Sequence, residues 1–375
     1  MYREDLIHNQ DAFGQQENEE ILLQIDGELS EDDETDINDI PENNFESQLP
    51  ASSSIYVMND DEINEKIRSL NKKQREIFDV IFTWAKRFVQ NRNACIVENV
   101  DPFHIFLTGG GGCGKSHLIK CVYHSVTKLL NYHFSELEKP KILLLAPTGV
   151  SAINIEATTI HTGLGIPCNR FYPLSDKLRT QLRNKLLHVS LIIIDEISMV
   201  SSKLLFQIHQ RLCEIFGTSD QVPFAGKSIL VCGDLYQLPP VMAHPVFSTD
   251  GFLISMFKLW HLFKLAELDE IMRQQGDKTF INLLNNIRVG NILLNDENLI
   301  NSKFISKECP SYPWHALHLY AENAFVNEHN KKMLEYLQTE VVIIAAIDEF
   351  SKGTTEKLIR SMPKIKVKQV GLQPT

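Results

Sequence analysis

One glycine-rich octapeptide restricts the possible folds of this chain more than any other feature. The apolar run HIFLT (104–108) leads into Gly109-Gly110-Gly111-Gly112-Cys113-Gly114-Lys115-Ser116, and a helical apolar pattern follows over 116–131. The octapeptide satisfies GxxxxGK[ST], the phosphate-loop pattern. Glycines let backbone N–H groups curl around β- and γ-phosphates without Cβ clashes, and the helix that follows aims its positive end at them. Lys115 is suited to neutralise the β/γ oxygens, and the Ser116 hydroxyl to complete a Mg²⁺ shell. A Gly-rich turn with a chance Lys-Ser is the bland alternative. The strand before the loop and the helix after it weigh against that alternative. By itself the motif means nucleotide triphosphate binding and does not say what the energy drives.

The surrounding pattern supplies a fold for such a loop. Further short apolar runs follow: KILLLA (141–146), LIIID (191–195), SILVCG (228–233) and FKLAEL (263–268). They alternate little, as expected of strands covered on both faces. Amphipathic stretches lie between them, near 176–188 and 203–216, and another precedes them in NKKQREIFDVIFTWAKRFVQ, where Ile77, Val80, Ile81, Trp84 and Phe88 take helical spacing. This order predicts an α/β fold, a RecA-like P-loop NTPase with a parallel sheet and crossover helices. The domain reading is an acidic disordered tail over 1–62, a motor domain with the phosphate loop over 63–265, and a partial second α/β motor domain over 266–375. That last unit offers helices near 279–289 and 322–337, and short strands at HALHLY (315–320) and VVIIAA (341–346).

Two further constellations fit hydrolysis. LIIID ends in Asp195-Glu196, a carboxylate pair at a strand's carboxyl end, where open α/β sheets bind ligands. Asp195 is suited to hold Mg²⁺ and Glu196 to activate the attacking water. Two acids opening a helix as dipole partners is the competing reading, and the phosphate loop argues against it. After SILVCG comes Gly233-Asp234-Leu235-Tyr236-Gln237-Leu238-Pro239-Pro240. There the Gln237 amide is placed to touch both a γ-phosphate and a water, or to be an ordinary surface glutamine.

Charge splits the chain in two. Residues 1–50 hold 16 Asp/Glu against the single basic Arg3, so most of the net −11 lies in a tail that should repel phosphate backbones. Residues 51–375 hold 36 basic and 32 acidic residues, a small surplus for a nucleic-acid module. A helicase channel, however, needs only a local groove with stacking platforms. Phe171, Tyr172, Trp260 and Phe263 are candidates for that, weighed against packing in a core or loop. No apolar run approaches the roughly 18 residues of a membrane span. The seven cysteines include no CxxC pair, so a reduced intracellular setting is expected and a structural metal is not.

Six segments taken together resemble one family: LNKKQREIFD (70–79), TGGGGCGKS (108–116), APTGVSAINI…TTIHT (146–162), LIIIDEISMV (191–200), GDLYQLPPV (233–241) and MRQ (272–274). The family is the superfamily 1 DNA helicases of the Pif-one type, with their relatives in Helitron transposons. A seventh segment, LHLYAENAFVNEHN (317–330), resembles the start of that family's second motor domain. The order and spacing of so many motifs are more specific than any one of them.

The resemblance implies an ATP-dependent DNA helicase that uses Mg²⁺-ATP and moves 5′-to-3′ on single-stranded DNA or tailed duplex DNA as a monomer. It implies that Gln74 reads adenine, Gln237 senses the γ-phosphate and Arg273 stabilises the transferring phosphoryl group. Thr148, Ser151 and His161 match the segment that faces single-stranded DNA. A nuclear location is expected, with the mitochondrion as alternative, and DNA repair, recombination or telomere maintenance are admitted as settings. The family's late motifs, which bring a further arginine, do not follow the VNEHN segment. The chain therefore reads as C-terminally incomplete, and three activities stay open: a helicase, a DNA-stimulated ATPase that does not unwind, and a non-enzymatic fragment that binds nucleotide or nucleic acid.

Overall fold

A computed structural model describes residues 58–93, 100–133, 139–168, 171–248, 259–272 and 277–337. These all lie within one compact unit, Gln48–Ala345; the other unit, Met1–Ser47 with Ala346–Thr375, lies outside the described residues. So do the tail through residue 57 and the expected strand at 341–346.

Two helices precede the sheet. α1 (Asp60–Arg68) starts at Asn59, whose side chain accepts the Glu62 N–H (2.9 Å) while the Glu62 carboxylate accepts the Asn59 N–H (3.3 Å). This reciprocal capping box satisfies two donors that a helix start leaves unpaired. The expected disordered tail to residue 62 is thus corrected at its end. α2 (Lys72–Asn93) buries Phe78, Ile81, Ala85 and Val89, spaced three, four and four residues apart. Val80, expected on the packed face, is 59% exposed; Phe78 takes the inward position instead.

The sheet that follows is entirely parallel. β1 (His104–Gly109) leads through the glycine loop into α3 (Lys115–His133), then come β2 (Ile142–Ala146), α4 (Gly149–Asn154), β3 (Thr158–Thr159), α5 (Ile160–Leu164), α6 (Asp176–Leu186) and β4 (Leu191–Ile194). α7 (Ser202–Phe216), β5 (Ser228–Gly233) and β6 (Lys264–Leu268) complete it, in the order β3-β2-β4-β5-β1-β6. Alternate side chains feed two cores. Leu107, Leu191, Ile193 and Leu230 pack with α2 and α3, whereas Phe106, Ile192, Ile194, Ile229 and Val231 pack with α6 and α7. Burial on both faces is why these strands read as unbroken apolar runs. At about 25 cal/mol per Å² it supplies the main stabilising term.

β6 pairs with β1 from Ile105↔Lys264 to Gly109↔Leu268, so the expected domain boundary at 266 falls inside a strand and the sheet unit runs to Leu268. Beyond it lie α8 (Lys278–Arg288), α9 (Leu294–Ser302) and α10 (Asn323–Tyr336). The strand expected at 315–320 is instead a turn and extended chain, with Leu317 and Leu319 90% and 87% exposed. A strand is stabilised by a neighbour that takes its N–H and C=O groups, and no neighbour pairs with this stretch among the described residues.

A fully buried arginine anchors the segment before α6. Arg211 donates to Glu214 (2.6 Å) and to the Tyr172 carbonyl (2.9 Å), and its guanidinium lies 4.6 Å from the Phe171 ring centroid. Burial pushes its pKa down while Glu214 pulls it back up. Arg211→Ala should cost about 3 kcal/mol, because removing one partner leaves the other's charge poorly compensated. The check is a lowered urea midpoint at constant slope; an unchanged midpoint would show the pair to be dispensable.

Candidate functional site: a nucleotide-binding edge

All six strands point the same way, so their carboxyl ends share one edge, the usual ligand side of an open α/β sheet. Three loops leave that edge beside one another. Thr108 of β1 is level with Gly233 of β5, and Ile194 of β4 is level with Val231 of β5. Gly109–Ser116, Asp195-Glu196 and Asp234–Gln237 therefore gather at one rim although they span more than a hundred residues of sequence.

The phosphate loop is shaped by close approaches. A Cβ on Gly109 would stand 2.5 Å from the Leu268 carbonyl oxygen and 2.6 Å from Cys113 Sγ. Gly114 sits at φ +83°, and a Cβ there would collide with the Gln74 side-chain amide. Neither position can accept a side chain without moving its neighbours. Lys115 Nζ donates to the carbonyls of Gly109 (2.7 Å) and Gly110 (3.2 Å), and Cys113 beside it is buried. The Met272 N–H donates to the Gly112 carbonyl (2.9 Å), tying the chain after β6 to the loop. α3 starts at Lys115 with no acidic residue in its first turn, which leaves its positive end for an anion. Ser116 is exposed in that turn.

Gln74 reaches this loop from α2. Its amide Nε2 donates to the Cys113 carbonyl (2.9 Å), and only 1% of the residue is exposed. Asn71 positions it: Asn71 Oδ1 accepts the Gln74 N–H (2.9 Å), and Gln74 Oε1 accepts the Asn71 N–H (3.0 Å). The expected adenine reader is thus the third helical residue of a capping box, Asn-x-x-Gln.

Asp195 is 6% exposed, and one of its carboxylate oxygens accepts the Glu196 N–H (3.0 Å). Burial pushes its pKa up to about 6, and the Glu196 charge adds to that; the Glu196 N–H and the Lys115 ammonium pull the other way. Lys115 and Asp195 follow strands β1 and β4, which both pair in parallel with β5, so the two lie at the same edge of the sheet. Glu196 takes the left-handed conformation, φ 51° and ψ 48°. That is uncommon for a side chain with a Cβ and typical of residues held for function. Gly233 makes room for it, since a Cβ there would lie 2.9 Å from the Ile197 nitrogen.

Gln237 is exposed at the same rim, its N–H bonded to the Asp234 carbonyl (2.9 Å) and its side-chain amide 3.5 Å from Asp234 Oδ2. Arg273 lies outside the described residues, although its neighbour Met272 touches the loop. Thr148, Ser151 and His161 sit past β2 and β3 on this edge. The Thr148 hydroxyl caps α4 by accepting the Ser151 N–H (3.2 Å) and also bonds the Ser151 hydroxyl (2.8 Å). His161 Nδ1 donates to the Ile166 carbonyl (3.0 Å), which fixes that tautomer. Of the aromatic candidates, Phe171, Trp260 and Phe263 pack against the core, and Tyr172 is 42% exposed. Core packing decides against Trp260 and Phe263 as platforms: the Trp260 ring lies 4.9 Å from that of Phe106.

Hard oxygen donors at Ser116 and Asp195 suit a small divalent cation such as Mg²⁺. Asp195's raised pKa marks a buried carboxylate that a nearby cation would stabilise. One contact at this rim has no counterpart in the sequence reading: the Arg288 guanidinium of α8 grips Asp234 with both Nε and Nη2 at 2.7 Å. Its partner is 54 residues away, and nothing local in the sequence announces such a pair.

Comparison with known proteins agrees with this geometry. A family model described as PIF1-like helicase matches residues 69–298. The chain is 29% identical over 300 residues to the ATP-dependent DNA helicase PIF1 of Candida albicans, covering 76% of this chain and 31% of that protein. It is 32% identical over 253 residues to the protein of the same name from Saccharomyces cerevisiae, covering 65% of this chain and 28% of the relative. A crystal structure of the Candida albicans Pif1 helicase superposes with a TM-score of 0.55 at 26% identity, over 73% of this chain and 56% of that one. The chain thus spans about a third of the length of the curated relatives it matches.

Proposed function

This chain belongs to the PIF1-like helicase family, and from that premise we propose that it is an ATP-dependent DNA helicase, a motor that couples Mg²⁺-ATP hydrolysis to movement on single-stranded DNA. The observation that carries the reading is that Lys115, Asp195 and Glu196 all follow parallel strands at one edge of the sheet.

In this reading the amides of Gly109–Ser116 and the Lys115 ammonium grip the β- and γ-phosphates. Ser116 and Asp195 would hold Mg²⁺, which when bound would supply positive charge against the charge that builds on the transferring group. Glu196 takes a proton from the attacking water, and Gln237 orients that water against the γ-phosphate. Gln74 closes the adenine side, and Arg273 adds charge when the cleft shuts. Thr148, Ser151 and His161 face single-stranded DNA along the rim past β2 and β3. The chain after Leu268 begins the second motor domain, and the direction of travel is 5′-to-3′. The substrates are single-stranded or tailed duplex DNA, the motor acts as a monomer, and its location is nuclear.

The test has two arms. Phosphate release should rise several-fold when single-stranded DNA is added, and strand displacement on a 5′-tailed duplex should require hydrolysable ATP. Hydrolysis without displacement would reduce the activity to that of a DNA-stimulated ATPase. Nucleotide binding with no hydrolysis at any DNA concentration would remove the motor altogether.

A further inference from the structure

We propose that Arg288 is a positioning residue for the turn that carries Gln237: α8 latches Asp234, and through it sets the geometry of the γ-phosphate sensor. The proposal rests on the reading of Gln237 given above.

Asp234 directly follows β5 and is completely buried. Its carboxylate organises the turn around it. Oδ1 accepts the Tyr236 N–H (3.2 Å), the Gln237 amide reaches Oδ2 (3.5 Å), and the Asp234 carbonyl accepts the Gln237 N–H (2.9 Å). A buried carboxylate is expensive unless it is paired, and Arg288 pairs both of its oxygens at once, Nε to Oδ2 and Nη2 to Oδ1. The guanidinium also lies 4.6 Å from the Tyr236 ring centroid, which braces the turn from a second direction.

The same helix addresses the other nucleotide loop. Asn285, three residues before Arg288 and so on the same face of α8, places its Oδ1 3.8 Å from where a Cβ on Gly110 would stand. α8 therefore lies across both the phosphate loop and the sensor turn, although it belongs to the chain that follows the sheet. Sensor geometry becomes conditional on α8 being docked. Any movement that carries α8 away from the rim removes the cation from Asp234, and a lone buried carboxylate must then protonate or turn toward water. Arginine is needed for this, because lysine is a point charge that cannot serve both oxygens in parallel.

The experiment compares the full chain with Arg288→Gln, Arg288→Lys, Gln237→Ala and the Gln237→Ala/Arg288→Gln double variant. Amide hydrogen exchange and steady-state ATP hydrolysis with single-stranded DNA are the two readouts. In Arg288→Gln, the amides of Tyr236 and Gln237 should exchange at least about tenfold faster through local opening, with those of Ile142–Ala146 unchanged. Turnover should fall on the order of 10²-fold, as for a misplaced catalytic group, while KM for ATP stays within about twofold. Arg288→Lys should recover part of both effects. Adding Arg288→Gln to Gln237→Ala should cost little more, since both act through one group.

Unchanged exchange at 236–237, or exchange that rises equally in β2, overturns the positioning role. So does full additivity of the two substitutions. If the unaltered chain hydrolyses no ATP, the motor reading falls, and the exchange comparison still decides whether Arg288 holds the turn.

Discussion

Lys115→Ala is expected to lower ATP turnover by roughly 10²–10³-fold, the range found when one preorganised electrostatic donor is deleted from an active site. The residue opens α3, and its ammonium is held at the loop by the carbonyls of Gly109 and Gly110. Alanine removes that point charge and leaves only the helix dipole and the loop amides facing the phosphates. It also removes a cation that partly offsets the burial of Asp195, so that carboxylate, proposed to hold Mg²⁺, becomes still harder to ionise. The fold should not suffer, because the bonds lost are a partly buried lysine's contacts to loop carbonyls rather than core packing. The check is phosphate release together with a melting curve. Hydrolysis at the unaltered rate would refute the assignment of the loop.

The strands were legible because each is buried on both faces. Leu191 to Ile194 offers nothing but apolar side chains, and both cores need them. β3 was not legible: two residues, Thr158 and Thr159, carry no periodicity, and they form a strand only because Leu145 and Ala146 offer ladder partners. α1 escaped notice for a different reason. Its first turn is the acidic run Asp60-Asp61-Glu62, which continues the composition of the tail, although Asn59 and Glu62 spell out a capping box. The stretch 315–320 failed in the opposite direction, since its apolar residues suggested a strand that has no described neighbour to pair with.

At the site the same division holds. Motif residues adjacent in sequence, from Gly109 to Ser116 and from Asp195 to Glu196, follow directly from the chemistry proposed for them. Contacts made across the fold do not. Gln74 to Cys113 joins residues 39 apart, and Arg288 to Asp234 joins residues 54 apart. Asp234 stood in plain view beside Gln237, but only the burial of its carboxylate shows that it needs a cation.

Glu196→Gln should retain ATP and hydrolyse it roughly 10²–10⁴-fold more slowly, the usual contribution of a positioned general base. The substitution keeps size and shape, so the left-handed backbone at this residue, and the Glu196 N–H bond to Asp195, have no reason to change. What changes is the ability to accept a proton. The strained conformation bears on how the result is interpreted. A non-glycine residue in that region costs of order 1–3 kcal/mol unless its surroundings hold it there. Here they do: Asp195 accepts its N–H, and Gly233 gives the next residue space that a Cβ would fill.

That arrangement separates the two acids by role. Asp195 is buried, so a bound cation would relieve its desolvation, whereas Glu196 is only partly buried and so is open to water in its proposed role as base. Equilibrium binding of a fluorescent ATP analogue should therefore be unchanged in Glu196→Gln while single-turnover hydrolysis collapses. Full-speed turnover would move the base elsewhere, and loss of binding would mean that Glu196 holds the nucleotide instead of attacking it through water.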